Sequence, residues 1–324
     1  MKKILLILFF CLSNQLSFSQ DFKKVDQIIK YYPEIQTIEQ LAQKINYDFK
    51  NSNLEKVRAI YTWIGLNIKY DYMLFNSSLL RHPEFIAYND EHDLDWIKRR
   101  KIKEVAQSTF EARKGLCTGY AYLFQRICNL MDIPNELIYG YTRTSFRDIG
   151  YIPKTKNHVW NSVKIDNRWL LMDLTFGSGY MYKDVWQKKF NQDYFDASKD
   201  FIKLTHFATD SKWNTYLDQK NLQEFCLDPF FKNAYLKSNI EIIKPTVGEI
   251  VINKKEKIRL SIKKLPNVDN IRYSYLHDDK IYDARIDNKQ EQTTDIYFKN
   301  PKRDTSLHIY INNELALEYK VKIL

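Results

Sequence analysis

Long apolar runs are almost missing from this chain of 324 residues. The stretch from Ile4 to Leu12 is too short to span a bilayer, and no later run of about twenty apolar residues follows, so a membrane-spanning helix is not expected. Cysteine is scarce, with four residues at positions 11, 117, 128 and 226. No C-x-x-C pair occurs, which argues against a zinc site, and no D-x-D-x-D-G loop points to calcium. Compact arginine-rich stretches, nucleic-acid motifs, internal repeats and low-complexity tracts are also absent, which argues against a nucleic-acid partner.

Met1 to Ser19 reads as a secretory signal peptide: Lys2 and Lys3 supply the charged start, Ile4 to Leu12 the apolar stretch, and Ser17 and Ser19 the small residues before a cut near Gln20. The expected protein is therefore exported, to a periplasmic, secreted or cell-surface location. Phe10 is bulky where a small residue would precede a lipidated Cys11, so a lipid anchor is not expected. Loss of the two lysines takes the formal charge from +10 to +8 (10 minus 2), a mildly basic surface compatible with an anionic cell envelope. Three cysteines remain, so at least one thiol is unpaired within the chain. Cys117 and Cys128 lie eleven residues apart on one helical pattern. That is roughly 16 Å along a helix, beyond the reach of a disulfide.

The pattern changes near residue 240. Before it, helical and strand periodicities mix: Thr37-Ile38-Glu39-Gln40 has capping-box spacing, and Leu54, Val57, Ile60, Tyr61 and Ile64 repeat as the core-facing stripe of an amphipathic helix. After it, Ile258, Leu260 and Ile262, then Leu307, Ile309 and Ile311, then Leu315, Leu317, Tyr319, Val321 and Ile323 alternate with polar residues as half-buried strands do. Seven or so such strands, with turns such as Pro266–Asn270, predict an immunoglobulin-like β-sandwich, although the segment has neither Trp nor Cys. The expected division is a helical segment over 20–53, a mixed α+β domain over 54–235 and the sandwich over 240–324.

The chemistry concentrates in the middle domain. Cys117 sits in Gly115-Leu116-Cys117-Thr118-Gly119-Tyr120-Ala121, a glycine-bracketed break opening a helix whose apolar face is Ala121, Phe124, Ile127, Cys128 and Met131 and whose end is Asp132-Ile133-Pro134. A first-turn cysteine faces unpaired backbone N–H groups that favour a thiolate and can hold a developing oxyanion. Gly115 and Gly119 would allow a sharp entry and a close approach by substrate. Downstream, two strands flank Asp166-Asn167. A two-residue turn there pairs positions that sum to 333, which puts His158 and Asp173 on one face as diagonal neighbours roughly 7 to 8 Å apart at the backbone. A slip of one residue would separate them.

The blocks around Cys117, Asn157-His158-Val159-Trp160-Asn161 and Trp169-Leu170-Leu171-Met172-Asp173-Leu174-Thr175-Phe176 resemble the three signatures of the transglutaminase-like superfamily in order and spacing. Ala59–Ile64 with Ile68–Asp71, and Thr205-His206-Phe207 with Asp210 and Trp213, resemble segments of its kyphoscoliosis-peptidase-like branch. The resemblance covers roughly residues 54–215. It implies a papain-like α+β core with the nucleophile at a helix start and its two partners on the sheet. Phe176 stands where the family commonly has Trp, and Val159 where it commonly has Ala.

Together these readings predict a Cys117–His158–Asp173 triad acting on amide bonds of proteins or peptides, needing neither metal nor organic cofactor, with hydrolysis favoured over amine transfer. Cys, His and Asp are also zinc-ligand types, but the short paired spacings of zinc sites are lacking. His206 is a rival base read as structural, Cys128 and Cys226 are read as core, and His82, His92, His277 and His308 show no chemical spacing. The alternative is a non-catalytic scaffold whose sandwich docks it to a protein or glycan of the cell envelope.

Overall fold

A computed structural model describes residues 21–77, 91–182, 185–238, 240–263, 270–290 and 293–324. The expected signal peptide, His82 and most of the Pro266–Asn270 turn lie outside the described residues. The first half opens with α1 (Lys23–Lys30), α2 (Ile38–Asp48), α3 (Asn53–Asn67), β1 (Lys69–Tyr70), α4 (Tyr72–Asn76), α5 (Glu91–Ala112), β2 (Lys114–Gly115) and α6 (Cys117–Asn129). There follow β3 (Asn135–Thr142), β4 (His158–Ile165), β5 (Arg168–Met172), α7 (Leu174–Ser178), β6 (Gly179–Tyr182), β7 (Val185–Lys188), α8 (Lys199–Thr205), β8 (His206–Ala208), α9 (Ser211–Tyr216) and α10 (Leu222–Leu227).

The antiparallel sheet β5-β4-β3-β8 divides two apolar layers. On one side Val163, Ile165, Leu170 and Met172 join Leu123, Phe124 and Ile127 of α6 and the buried residues of α1 to α3. On the other, Ile138, Trp160 and Leu171 meet Phe201 and Ile202 of α8 and Trp213 of α9. This is the α+β core expected from the sequence.

The expectation of an amphipathic α3 needs correction. Every residue from Lys56 to Gly65 is buried, because α1, α2 and α6 surround the helix as well as α7. The polar positions are absorbed by pairing: Arg58, only 2% exposed, donates to Asp26 at 2.8 and 2.6 Å, and Thr62 donates to the same carboxylate at 2.6 Å. Thr37 does cap α2 by accepting from Gln40 N, but the Gln40 side chain returns to Gln36 N rather than to Thr37, so the predicted box is half formed.

The C-terminal region continues with β9 (Phe230–Phe231), α11 (Asn233–Lys237), β10 (Glu241–Lys244), β11 (Glu249–Ile252), β12 (Ile258–Lys263), β13 (Ile271–Tyr275), β14 (Tyr282–Asp283), β15 (Arg285–Gln290), β16 (Thr293–Phe298), β17 (Thr305–Ile311) and β18 (Glu314–Ile323). One sheet runs β10-β12-β16-β15 and the other β11-β18-β17-β13-β14, and their apolar faces close one shared core around Leu260, Tyr273, Phe298, Leu307 and Tyr319. The region is an all-β sandwich, as predicted. Its strands outnumber the expected seven because short pieces such as β14 pair separately. Phe231 of β9 pairs with Leu317 of β18, so this layer is joined before residue 240.

The halves meet through both apolar and polar contacts: Leu204 of α8 packs against the sandwich core, and Arg143 anchors the segment that joins them. Arg143, 3% exposed, donates to Asp228 O at 2.5 Å and Pro229 O at 3.1 Å, while Phe146 N donates to Glu318 at 3.0 Å. Among the described residues no helix is long and apolar enough to cross a membrane.

Candidate active site

The entry to Cys117 is built by backbone. Arg113 takes a left-handed conformation (φ 52) and turns the chain out of α5, after which β2 pairs parallel with β1. Arg113 is held there by donating to Phe110 O and Ile35 O at 2.9 and 2.6 Å, with its guanidinium 4.0 Å from the Phe110 ring centroid. The two glycines serve packing rather than entry: a Cβ at Gly119 would lie 2.4 Å from Thr109 Oγ1, and one at Gly115 2.9 Å from it. They let α5 close against α6. Cys117 is the first residue of α6, and Leu116 before it makes no side-chain cap, so the first-turn N–H groups have no side-chain acceptor at that position.

The predicted hairpin register holds. Asn161 pairs with Met172 and Ile165 with Arg168, both sums being 333, across a turn in which Asp166 and Asn167 have φ of 47° and 63°. The ladder stops at Met172, where Asp173 turns the chain into α7 and accepts from Phe176 N at 3.0 Å through Oδ1. Its Oδ2 lies 2.7 Å from His158 Nε2, and both residues are buried. With Nε2 engaged by Asp173, Nδ1 is the ring nitrogen that remains for a further partner, and Cys117 lies near enough to add to the basicity of the imidazole. Trp160 and Phe176 cover the imidazole near-parallel, with centroids at 6.1 and 5.2 Å. Phe176 thus supplies an aromatic wall where the superfamily commonly has Trp.

Electrostatics follow from this geometry. Burial opposes protonation of His158, but the charge and hydrogen bond of Asp173, followed by Cys117, more than offset it and push the imidazole up to about 10. Burial alone would raise Asp173, yet His158 and then His206 hold it well below the usual carboxylate range. Cys128 and Cys226 are fully buried and their thiols are pushed up by desolvation, whereas Cys117 is half-buried. Among the described residues, Cys117, Cys128 and Cys226 are free.

His206 is the residue that sequence reasoning undervalued. It is fully buried, its Nε2 lies 2.8 Å from the same Asp173 Oδ2, and its Nδ1 lies 2.7 Å from Thr205 Oγ1. The clue was the Thr205-His206-Phe207 resemblance, but only the pairing of Thr142 with His206 brings it beneath the site. His158, Asp173 and His206 present ligand-type atoms within 4.8 Å of one another. Their 2.7 and 2.8 Å contacts suit shared protons. A tetrahedral zinc would hold its ligand atoms about 3.3 Å apart, so the contacts at 2.7 and 2.8 Å do not fit a tetrahedral zinc on these atoms. Tyr122 and Tyr139, joined through their hydroxyls at 3.0 Å, and Tyr70, stacked on Trp186 at 5.3 Å, add aromatic surface near Cys117.

Residues 39–174 match the transglutaminase-like superfamily profile. That stretch is similar to the transglutaminase-like superfamily, and the curated relatives that the chain resembles include two kyphoscoliosis peptidases. The chain is 26% identical to a kyphoscoliosis peptidase of Homo sapiens over 236 residues, covering 71% of this chain and 32% of that protein. It is 21% identical to the Lim and transglutaminase domain protein ltd-1 of Caenorhabditis elegans, covering 69% and 30% respectively. The chain therefore spans about a third of the length of these curated relatives. A crystal structure of a TGase is similar at a TM-score of 0.30 and 17% identity, covering 57% of this chain and 40% of that one.

Proposed function

We propose that this chain is an exported cysteine-dependent acyl-transfer enzyme that cleaves amide bonds of proteins or peptides, with Cys117 as nucleophile, His158 as acid and base, and Asp173 as the group that orients the imidazole. The observation that carries this reading is the 2.7 Å bond from His158 Nε2 to Asp173, which orients the imidazole and leaves Nδ1 to serve a thiol, with Cys117 near enough to favour the protonated ring.

The thiolate sulfur attacks the amide carbonyl carbon, and the carbonyl electrons move onto oxygen, where first-turn N–H groups of α6 stabilise them. Collapse breaks the C–N bond, and His158 delivers its proton to the departing amine. A thioester remains on Cys117. Water then attacks that thioester while His158 takes its proton, which releases a carboxylic acid and restores the thiolate–imidazolium pair. The raised basicity of His158 keeps the ring protonated at neutral pH, the state needed beside a thiolate and for the first proton delivery. An amine in place of water would give cross-linking. Hydrolysis is favoured because the branch's curated relatives carry the name peptidase.

The test is direct. Cys117→Ala should abolish both iodoacetamide labelling at mildly acidic pH and amide turnover in a peptide library, because Cys128 and Cys226 are buried. Turnover at wild-type rate by that variant would refute the assignment, and a substrate screen that stays silent on a wild-type protein with an ordinary thiol would favour the scaffold reading.

A further inference from the structure

We propose that His206 is a positioning residue of the Cys117–His158–Asp173 site: it anchors Asp173 by Oδ2 so that the carboxylate addresses His158. This rests on the reading of the site given above.

The carboxylate is constrained from three directions. Oδ1 accepts from Phe176 N at 3.0 Å, and Oδ2 lies 2.7 Å from His158 Nε2 and 2.8 Å from His206 Nε2. Without His206, one side-chain partner would remain, and a buried carboxylate with a missing donor is free to turn toward another. His206 itself cannot follow such a turn. Its Nδ1 meets Thr205 Oγ1 at 2.7 Å, its carbonyl accepts from Gln219 Nε2 at 2.5 Å, and its ring packs edge-on against Trp160 and Phe176 at 4.9 and 5.4 Å.

The tautomer follows from the partners. Burial favours the neutral ring, and a neutral imidazole has one donor and one acceptor nitrogen. An ionised Asp173 accepts only, so Nε2 carries the proton and Nδ1 accepts from the Thr205 hydroxyl. The reverse tautomer would set a lone pair against the carboxylate. A histidine that merely filled the core would need no such orientation.

The ionisable groups facing this centre are His158, Cys117 and Asp173, together with the phenols of Tyr61, Tyr70, Tyr120 and Tyr194, all raised chiefly by burial and so neutral across the neutral range. The full chain is compared with His206→Phe, which keeps an aromatic ring without a donor, and His206→Gln, which restores an amide donor. NMR follows the His158 titration, and iodoacetamide alkylation of Cys117 is measured against pH. Neither readout needs a substrate.

In His206→Phe the His158 titration should move by at least about half a pH unit, and alkylation at mildly acidic pH should fall about tenfold. His206→Gln should stay within about threefold of wild type. A folded His206→Phe with wild-type titration and alkylation would overturn the proposal, as would equal impairment in His206→Gln. If His206→Phe does not fold, Thr205→Val removes the tautomer-setting donor while leaving the ring, and an unchanged titration there overturns the proposal too. A wild type without amide turnover whose His158 still responds to His206 would sink the enzymatic reading and keep this one. Turnover with an indifferent His158 would do the reverse.

Discussion

The helix-and-sheet half and the β-sandwich both bury polar side chains, but they use them differently. In the first, His158, Asp173, His206 and Thr205 bond to one another at the end of the sheet. In the sandwich the buried polar groups are dispersed: Asp295 accepts from Ser261 at 2.6 Å and pairs with Arg259 at 2.7 Å, Ser306 meets His308 at 2.9 Å, and Glu318 faces the neighbouring domain. Buried polar groups must be satisfied in either setting. Under the function proposed above, convergence of several ionisable ones on a single oxygen is what sets the site apart from the structural bonding of the sandwich.

That contrast predicts opposite outcomes for the same substitution. Asp173→Asn should preserve the Phe176 cap, since an amide oxygen still accepts, but it loses the charge that holds His158. Amide turnover should fall on the order of 10³- to 10⁴-fold. Asp295→Asn should leave Cys117 alkylation unchanged and cost about 1 kcal/mol of unfolding free energy, because Arg259 is largely exposed. Parallel alkylation and denaturant titrations check both, and a site that tolerates Asp173→Asn would erase the distinction.

A second acid–base pair, with its arginine buried and its carboxylate partly exposed, marks the limit of the rule within the first half. Arg58 and Asp26 bond through two nitrogens, and the Arg58 guanidinium lies over the Phe22, Phe190 and Phe195 rings, with the Thr62 hydroxyl donating to the carboxylate and none of the described cysteines or histidines bonded to the pair. Asp26→Ala should strand the Arg58 charge and lower stability by about 3 kcal/mol, with alkylation of the folded fraction unaltered. Denaturant melts read the loss.

How much of this was legible depended on the range of the interactions. The His158–Asp173 pairing follows from a two-residue turn between residues only fifteen positions apart, and Asp166-Asn167 is a strong local signal, so the register could be counted. Cys117 at a helix start was legible for the same reason. His206 was not, because it reaches Asp173 only through pairing of β8 with β3, and nothing near it in sequence specifies that pairing. Buried Arg58 escaped as well: a charged residue on a helical pattern reads as solvent-facing until the neighbour that neutralises it, thirty-two positions away, is known. Gly119 was read correctly as a close approach but assigned to the wrong visitor, Thr109 being the group it admits.

His158 in the first half and His308 in the sandwich should also respond to pH with opposite sign. His158 is raised from its ordinary 6.5 to about 10, so the stability it contributes is fully present below 6.5 and lost as pH climbs through about 10. Asp173, held low, contributes above the ordinary carboxylate range and loses its share only as pH falls well below it. His308 in the sandwich is lowered by burial, so its contribution is present above 6.5 and lost on acidification. His206 shares that acid-side sign. Thermal melts at pH 5.5 and 9.5 should therefore show His158→Gln flattening the alkaline loss and His308→Gln flattening part of the acid loss. A His158→Gln protein with the wild-type alkaline slope would contradict the assigned basicity.

The smallest effect is expected where the halves meet. Glu318 on β18 accepts from Phe146 N at 3.0 Å and pairs with Lys232 at 3.4 Å, and Phe146 follows β3, the strand that also carries the pairing partner of His206. Glu318→Gln keeps an acceptor for the Phe146 N–H and removes only the charge, so about 1 kcal/mol of stability should be lost, with alkylation of Cys117 unchanged. The packing of the sandwich would then be separable from the reactivity of the thiol. A drop in alkylation rate without a matching loss of stability would mean that the contact reaches the site through β3 and β8, and the sandwich would have to be counted among the elements that set the chemistry.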